Sequence, residues 1–342
     1  MNPINISYKM PAEWEEHQRT FISWPVKESM CYPEDYATVS DGYRAIVEAI
    51  AVYEPVTVLV NQAEIEKVQS LFNNAAIELL VIEHDDAWLR DNGPTFVVSE
   101  AGEVAGVNWI FNAWGEKYTP WDLDDLVASK VLANYQVKQI DAPIVMEGGS
   151  FHVDGEGTLI TTEECLLHPN RNPSYTKTEI EGYLKKHLDV SKVVWLKNGL
   201  AGDETDGHVD NIACFIAPGK IMIQVCDDPT DANYKTTQEN LAILEAEVDA
   251  KGRKLEIVPV KQPPLRTDGD DRLTLSYLNF YFVNGGIILP VFGEDAIETD
   301  KAAIEQFKQL FPERVIHPID GMAIIREGGN IHCMTQQMPV NR

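Results

Sequence analysis

Cys333 stands in the stretch "IIREGGNIHCMTQQMP" (324–339), flanked by Asn330 and His332 and preceded by glycines at 328 and 329. Glycines let a backbone approach a reacting group closely, and a thiol among polar neighbours is a nucleophile candidate. The opposite expectation, a small buried hydrophobe, fits Cys214 in "NIACFIA". Cys31, Cys165 and Cys226 lack a constellation comparable to that of Cys333. "DETDGHVDN" (203–211) sets His208 and Asp210 two residues apart, so that on a strand both side chains share one face, with Val209 on the other. Such a pair serves acid–base catalysis, a structural contact or a metal ion. The chain carries no HExxH and no zinc-like Cys/His spacing, so no metal is expected. Glu147 in "VMEGGSFH" and Asp91 in "DDAWLRDNGP" are carboxylates beside turn-forming residues, where a surface role is the ordinary one. Trp88, close to Asp91, is either core or a wall for a cation or methylene chain. Arg90 faces away from Asp91 if that segment is extended.

The elements that must position these residues have a recurrent form. "TFVVSEAGEVAGVNW", "SFHVDGEGTLITT", "NIACFIAPGKIMIQV" and "LNFYFVNGGIILPVF" each place two apolar runs around a short turn with Gly, Asp, Asn or Pro, the pattern of a β-hairpin. A fifth copy holds one strand in "NIHCMT", and "RTFISWP" near the amino terminus supplies its partner, closing a ring. The candidate residues fall at or near the starts of the first, second, third and fifth copies, so Asp91, Glu147, His208, Asp210 and Cys333 converge on one axis if each copy is a blade. Strand-like "PVTVLV", "IELLVI", "KVVWL" and "KLEIVPV" alternate with helical patterns such as "EIEKVQSLF" and "TQENLAILEAEV", which makes the class α/β. No linker divides the chain, and residues 1–342 are expected to form a single catalytic domain.

The chain has 342 residues, 54 acidic against 28 basic side chains and a formal net charge of −26. That balance excludes binding to a phosphate backbone, which depends on Lys and Arg, and makes a small cation the natural partner. No apolar run approaches the roughly 18–20 residues of a membrane span. "MNPINISYKMPAEWEEHQRT" lacks the basic flank and apolar stretch of a signal peptide. Five cysteines without CxxC spacing are expected to be reduced thiols in a cytoplasmic protein. The oligomeric state is left open, a homo-oligomer included.

"MPAEWEEHQRTFISWP", "DDAWLRDNGPTFVV", "NAWGEKYTPWDLDDLVA", "EGGSFHVDGEGTLITTEECLL", "TDGHVDNIACFIAPG" and "EGGNIHCMTQQMP" together resemble the agmatine deiminases, over nearly the whole chain. That family belongs to the guanidino-group-modifying superfamily, and the resemblance implies its pseudo-fivefold α/β propeller, the pentein fold, with a central active site. It also implies hydrolysis of agmatine to N-carbamoylputrescine and ammonia, in putrescine biosynthesis or agmatine catabolism, without a metal or organic cofactor. By the same resemblance Cys333 is the nucleophile, His208 the general acid and base, Glu147 the partner of His208, and Asp91 and Asp210 the carboxylates that grip the guanidinium. Where the family reads Gly-Gly-Gly-Asn, this chain has Glu327 in place of the first glycine. A peptidylarginine deiminase-like branch makes arginine or peptidylarginine the alternative substrate, and a non-catalytic polyamine binder of the same fold is the remaining reading.

Overall fold

The computed structural model describes residues 7–341, so the first six residues of the amino-terminal stretch read above lie outside it. The four complete hairpins form as expected. Thr95–Ser99 pairs with Val104–Ile110, Phe151–Val153 with Thr158–Thr162, Ala213–Ala217 with Lys220–Val225, and Tyr281–Val283 with Gly286–Val291, all antiparallel. The turn at "DGEG" shows the local chemistry. Asp154 Oδ1 accepts from the amides of Glu156 (2.7 Å) and Thr158 (2.9 Å), while Gly155 (φ +69°) and Gly157 (φ +104°) take up left-handed backbone.

Each hairpin is followed by a helix and a third strand parallel to its second. The helices Val127–Asn134, Lys177–Leu188, Asn233–Ala246 and Ile297–Leu310 lead to the strands Lys138–Val145, Lys192–Leu196, Glu256–Lys261 and Val315–Asp320. The fifth unit closes through the ends of the chain. Thr335–Pro339 pairs antiparallel with His17–Ser23, which pairs parallel with Val56–Val60 after the helix Tyr36–Ile50, and Ile77–Val81 extends that sheet. Only the hairpin halves of these sheets were legible as such; the parallel third strand is what completes each one.

Helical periodicity accounts for how the helices cover the sheets. Tyr36–Ile50 buries Val39, Tyr43, Ile46, Val47 and Ile50, positions that recur every three to four residues along one face. Full burial of each such side chain contributes about 1.5–3 kcal/mol. Lys177–Leu188 starts on a capping box: the Thr176 side chain accepts from the Glu179 amide, and Glu179 accepts from the Thr176 amide at 2.8 Å. No helix among the described residues is long and apolar enough to cross a membrane.

Candidate active site

Just before the first strand of each hairpin the chain makes a short turn, and the polar residues on these turns meet in space. Asp91 lies in the single helical turn Leu89–Asn92, Glu147 caps Gly148–Ser150, His208 caps Val209–Asn211, and Cys333 lies in Ile331–Met334. His208 and Asp210 are therefore on a one-turn helix, not on the strand expected for them, and Cys333 precedes its strand instead of sitting in it. A single turn satisfies its amides locally, as Asn330 Oδ1 does for the Ile331 amide at 3.0 Å, and leaves the following strand free for pairing. The remaining unit contributes Asn279, which the sequence did not single out. Its Nδ2 donates to Cys333 Sγ at 3.1 Å, and its Oδ1 accepts from the His332 amide at 3.0 Å.

The geometry of the five expected residues is tight. Asp91 Oδ1 accepts from the Gly149 amide and Oδ2 from the Trp114 indole Nε1, both at 2.9 Å. His208 Nδ1 stands 3.8 Å from Asp91 Oδ1, and its Nε2 stands 3.8 Å from Glu147 Oε2. Cys333 Sγ is 3.6 Å from Asp210 Oδ2. Gly149 marks the centre: a Cβ there would lie 2.6 Å from His208 Nδ1 and 3.0 Å from both Asp210 Oδ2 and Asp91 Oδ1. Both ring nitrogens of His208, Glu147 Oε2 and Asp210 Oδ1 are buried without a hydrogen-bond partner among the described residues. Unpaired buried polar atoms are costly, and such a group of them marks a place built for a polar ligand.

Charge is distributed unevenly over this centre. Burial pushes the Cys333 thiol well above its usual range, and Asp210 and Asp91 push it further. Burial lowers the pKa of His208, but the pull of Asp91, then of Cys165 and Glu147, outweighs it and leaves the imidazole well above 6.5. Burial and the neighbouring carboxylates Asp210 and Glu147 hold Asp91 up against the pull of His208. Burial acts on Asp210 in the same sense, yet His332, His208 and Arg90 bring it below the usual carboxylate value. Arg171 does the same for Glu147, donating Nε to Oε1 at 2.6 Å.

Behind Asp210 runs a second buried chain of charges that sequence reading missed. His332 Nδ1 bonds Asp210 Oδ2 at 2.9 Å and Nε2 bonds Glu13 Oε2 at 2.8 Å, with His152 Nε2 and Arg90 Nη2 at 3.6 and 3.9 Å from that oxygen. The turn Leu89–Asn92 is helical, so the condition of an extended segment is not met, and Arg90 is buried with Nε on the His332 carbonyl (3.2 Å) and Nη1 on Gln337 (2.9 Å). The one clue in the sequence was the adjacency of His332 to Cys333.

A cavity leads outward from Cys333 and Asp91. Trp88 lines it with Tyr43, Trp114 and Tyr118, and the acidic residues Asp86, Glu204 and Glu327 stand along it; among the described residues no Lys or Arg lines it. The Trp88 ring packs where a Gly329 Cβ would stand, 2.4 Å from Cζ3. Trp114 is held on left-handed backbone (φ +54°) between Ala113 (+51°) and Glu116 (+62°), conformations that cost about 1–3 kcal/mol each. Arg171 Nη1 on the Trp114 carbonyl (2.8 Å) and Asn112 Oδ1 on the Gly115 amide (2.9 Å) hold that loop. Glu327 accepts from the amides of Cys31 (2.7 Å) and Tyr32 (3.3 Å) and so ties down one wall. Two cysteines set aside above belong here after all. Cys31 lines the cavity, and Cys165 Sγ lies within 4.8 Å of donor atoms of Glu147 and His208. Both approaches join segments far apart in the chain, which spacing does not reveal. Cys214 and Cys226 are buried.

Residues 9–339 match the family of the Porphyromonas-type peptidyl-arginine deiminases. The chain is 43% identical over 366 residues to an agmatine deiminase of Pseudomonas aeruginosa (strain LESB58), covering 98% of this chain and 96% of that protein. The agmatine deiminase of Enterococcus faecalis superposes with a TM-score of 0.93 at 36% identity, covering 98% of this chain and 96% of the other. A substrate-bound agmatine deiminase of C. jejuni with a cysteine-to-serine substitution superposes with a TM-score of 0.90 at 26% identity, covering 100% and 99%. The mixed α/β fold is thus that of the agmatine deiminase structures, and this chain belongs to the Porphyromonas-type peptidyl-arginine deiminase family.

Proposed function

We propose that this protein hydrolyses agmatine to N-carbamoylputrescine and ammonia through a covalent amidino-cysteine intermediate. The observation that carries the reading is the convergence of two buried carboxylates on the thiol and the imidazole: Asp210 Oδ2 lies 3.6 Å from Cys333 Sγ and Asp91 Oδ1 lies 3.8 Å from His208 Nδ1, with Asp91 and Cys333 both lining the cavity. A guanidinium entering from the cavity meets two carboxylates through charge-assisted hydrogen bonds and presents its carbon to Cys333. The bound cation offsets the carboxylates that hold the thiol protonated, so substrate itself promotes the thiolate. Cys333 Sγ attacks the guanidinium carbon, and the imidazolium of His208 gives its proton to the departing ammonia. Neutral His208 then takes a proton from water as it adds to the amidino carbon. Collapse expels the Cys333 thiolate and leaves the ureido product. Glu147, held ionised by Arg171, supports His208 as it cycles between these states. Trp88 forms a wall for the methylene chain, and His332 is a positioning residue that keeps Asp210 charged and oriented.

Substrate choice follows from what stands along the cavity. Arginine carries a carboxylate that calls for a cation, and agmatine does not. The three arginines nearest the motifs are committed elsewhere: Arg90 to His332 and Gln337, Arg171 to Glu147 and Asp206, and Arg326 to Asp35 and Asp268. Acidic Asp86, Glu204 and Glu327 suit the distal ammonium of agmatine and repel a carboxylate. The five similar sheets and the five turns that meet at the centre support a pseudo-fivefold propeller spanning the whole chain as one catalytic unit. Free cysteines, including the proposed nucleophile, suit the reducing cytoplasm.

The test is kcat/KM for agmatine, L-arginine and an arginyl peptide at one ionic strength, with ammonia release as readout and Cys333→Ser as control. Agmatine should be preferred, and wild-type protein trapped during turnover should carry an amidino adduct on the peptide containing Cys333. Equal turnover of either arginine substrate removes the agmatine assignment. Absence of ammonia release from all three leaves a polyamine binder.

A further inference from the structure

Behind the His208 ring, on the side away from Gly149, three buried donor atoms converge. His208 Nε2 and Glu147 Oε2 are 3.8 Å apart, on side chains 1% and 0% exposed, and neither atom has a hydrogen-bond partner among the described residues. The thiol of fully buried Cys165 completes a set whose ligand atoms all lie within 4.8 Å of one another. A separation of 3.8 Å is long for a hydrogen bond. It matches the edge of a tetrahedral ion site, where bonds of about 2.0–2.3 Å put neighbouring ligands about 3.3–3.8 Å apart. The other ring nitrogen, Nδ1, lies 3.8 Å from Asp91 Oδ1 and likewise makes no hydrogen bond among the described residues. Thiolate, imidazole and carboxylate together favour Zn2+ over Mg2+ or Ca2+. The other buried cluster, Glu13, His152 and His332, offers no such site. Both His332 nitrogens are already bonded to carboxylates, whereas at the Cys165 cluster Arg171 occupies only Glu147 Oε1 (2.6 Å) and leaves Oε2 free.

We propose that Cys165, His208 and Glu147 form a Zn2+ site whose occupancy stops turnover. The ion binds His208 Nε2, Glu147 Oε2 and the Cys165 thiolate, the thiol releasing its proton, and water takes the fourth position. The ring is then locked and cannot be protonated at Nε2, so it no longer cycles as acid and base. Asp91 lies at Nδ1, on the opposite edge of the ring, so the ion leaves the carboxylates proposed to grip the guanidinium free. Zn2+ therefore lowers kcat for agmatine and leaves KM unchanged. The inhibition rests on the function proposed above; the metal binding does not.

Co2+ added to Cys333→Ser protein is a direct probe, because a thiolate ligand gives a near-ultraviolet charge-transfer band. One equivalent should produce that band in Cys333→Ser, and the double variant Cys333→Ser/Cys165→Ser should lack it. In parallel, Zn2+ inhibition is measured on wild type and on Cys165→Ser, each against its own metal-free rate, with the inhibition constant expected to weaken at least about tenfold in the variant. A missing band in Cys333→Ser, a band that persists in the double variant, equal inhibition of the two proteins, or competition between Zn2+ and agmatine overturns the proposal. Should Cys165→Ser fail to fold by circular dichroism, Cys165→Ala takes its place, and the Cys333→Ser titration decides alone if neither folds. That titration also stands if agmatine proves not to be the substrate.

Discussion

Adding one methyl group at Gly149 tests how closely the backbone there must approach His208, Asp91 and Asp210. The position does not use left-handed backbone, so alanine takes its φ and ψ without strain. The new carbon lies 2.6 Å from His208 Nδ1 and 3.0 Å from Asp210 Oδ2 and Asp91 Oδ1. Relieving that crowding costs about 1–3 kcal/mol of stability, less than the roughly 5–15 kcal/mol a domain of this kind commands, so Gly149→Ala should fold. Its methyl pushes His208, Asp91 and Asp210 off their positions, and displacing a reacting group by about 1 Å costs on the order of a hundredfold in rate. The expected result is a fall in kcat/KM for agmatine of at least about a hundredfold, or about 2.7 kcal/mol of transition-state stabilisation. Two controls bracket it. Gly182→Ala, in the helix Lys177–Leu188 with nothing within 4 Å of the added carbon, should keep full activity and gain up to about 1 kcal/mol of stability. Gly148→Ala sets its methyl 2.1 Å from the Arg90 carbonyl oxygen and should lose stability outright. Steady-state ammonia release, with calorimetric agmatine binding to Cys333→Ser/Gly149→Ala, reads the effect. A folded Gly149→Ala enzyme within tenfold of wild type would refute the claim that the bare backbone at Gly149 is needed to hold His208, Asp91 and Asp210 in their working positions.

Three further outcomes follow from the same geometry. Asp91→Asn and Asp210→Asn leave a bound guanidinium under-neutralised in a buried site, at a cost of about 3–5 kcal/mol; kcat/KM should fall a hundredfold or more, and near-wild-type kinetics in either variant removes that residue from the clamp. Trp114→Phe deletes the donor to Asp91 Oδ2 and should lower kcat/KM by about 10–100-fold, the cost of an unpaired buried acceptor being about 1–3 kcal/mol; unchanged kinetics would show that Asp91 needs no such anchor. His332→Gln removes an imidazolium held by Asp210 and Glu13. Because the pKa of His332 is raised in the folded protein, its contribution is complete below the unfolded value of about 6.5 and fades as pH rises through the folded value. Urea denaturation of both proteins should therefore show the larger stability gap at pH 6 than at pH 9, and a gap that widens with pH contradicts an imidazolium at that site.

The hairpins were legible because alternating apolar runs around Gly and Asp turns specify strand and register locally, and the missing partner of the fifth hairpin then pointed to "RTFISWP". The proposed site residues were nominated partly by type and mainly by resemblance. Their backbone was not legible. A one-turn helix such as Ile331–Met334 has no periodicity to distinguish it from the strand that continues it at Thr335. The segment of Arg90 is another such turn, and the inward course of its side chain depends on His332 and Gln337, more than two hundred residues away. Asn279 escaped notice because its stretch "SYLNFYFV" reads as an ordinary apolar strand; only assembly brings its amide to Cys333. Cys165, likewise, meets His208 only in three dimensions.

The pairing of His17–Ser23 with Thr335–Pro339 joins segments about 300 residues apart, and this orders events on the ribosome. At about 5–20 residues per second, roughly 15–60 s separate the emergence of the two strands. For that interval the early strand has Val56–Val60 on one side and an open edge on the other, the condition in which strands seek foreign partners. A nascent chain can hold Asp91, Glu147 and His208 for many seconds, yet Cys333 arrives only with the segment that closes the sheet. With Cys333 as the nucleophile proposed above, catalytic competence and completion of the fold become a single late event, and a prematurely terminated chain would be inert as an enzyme while its exposed edge makes it a client for chaperones.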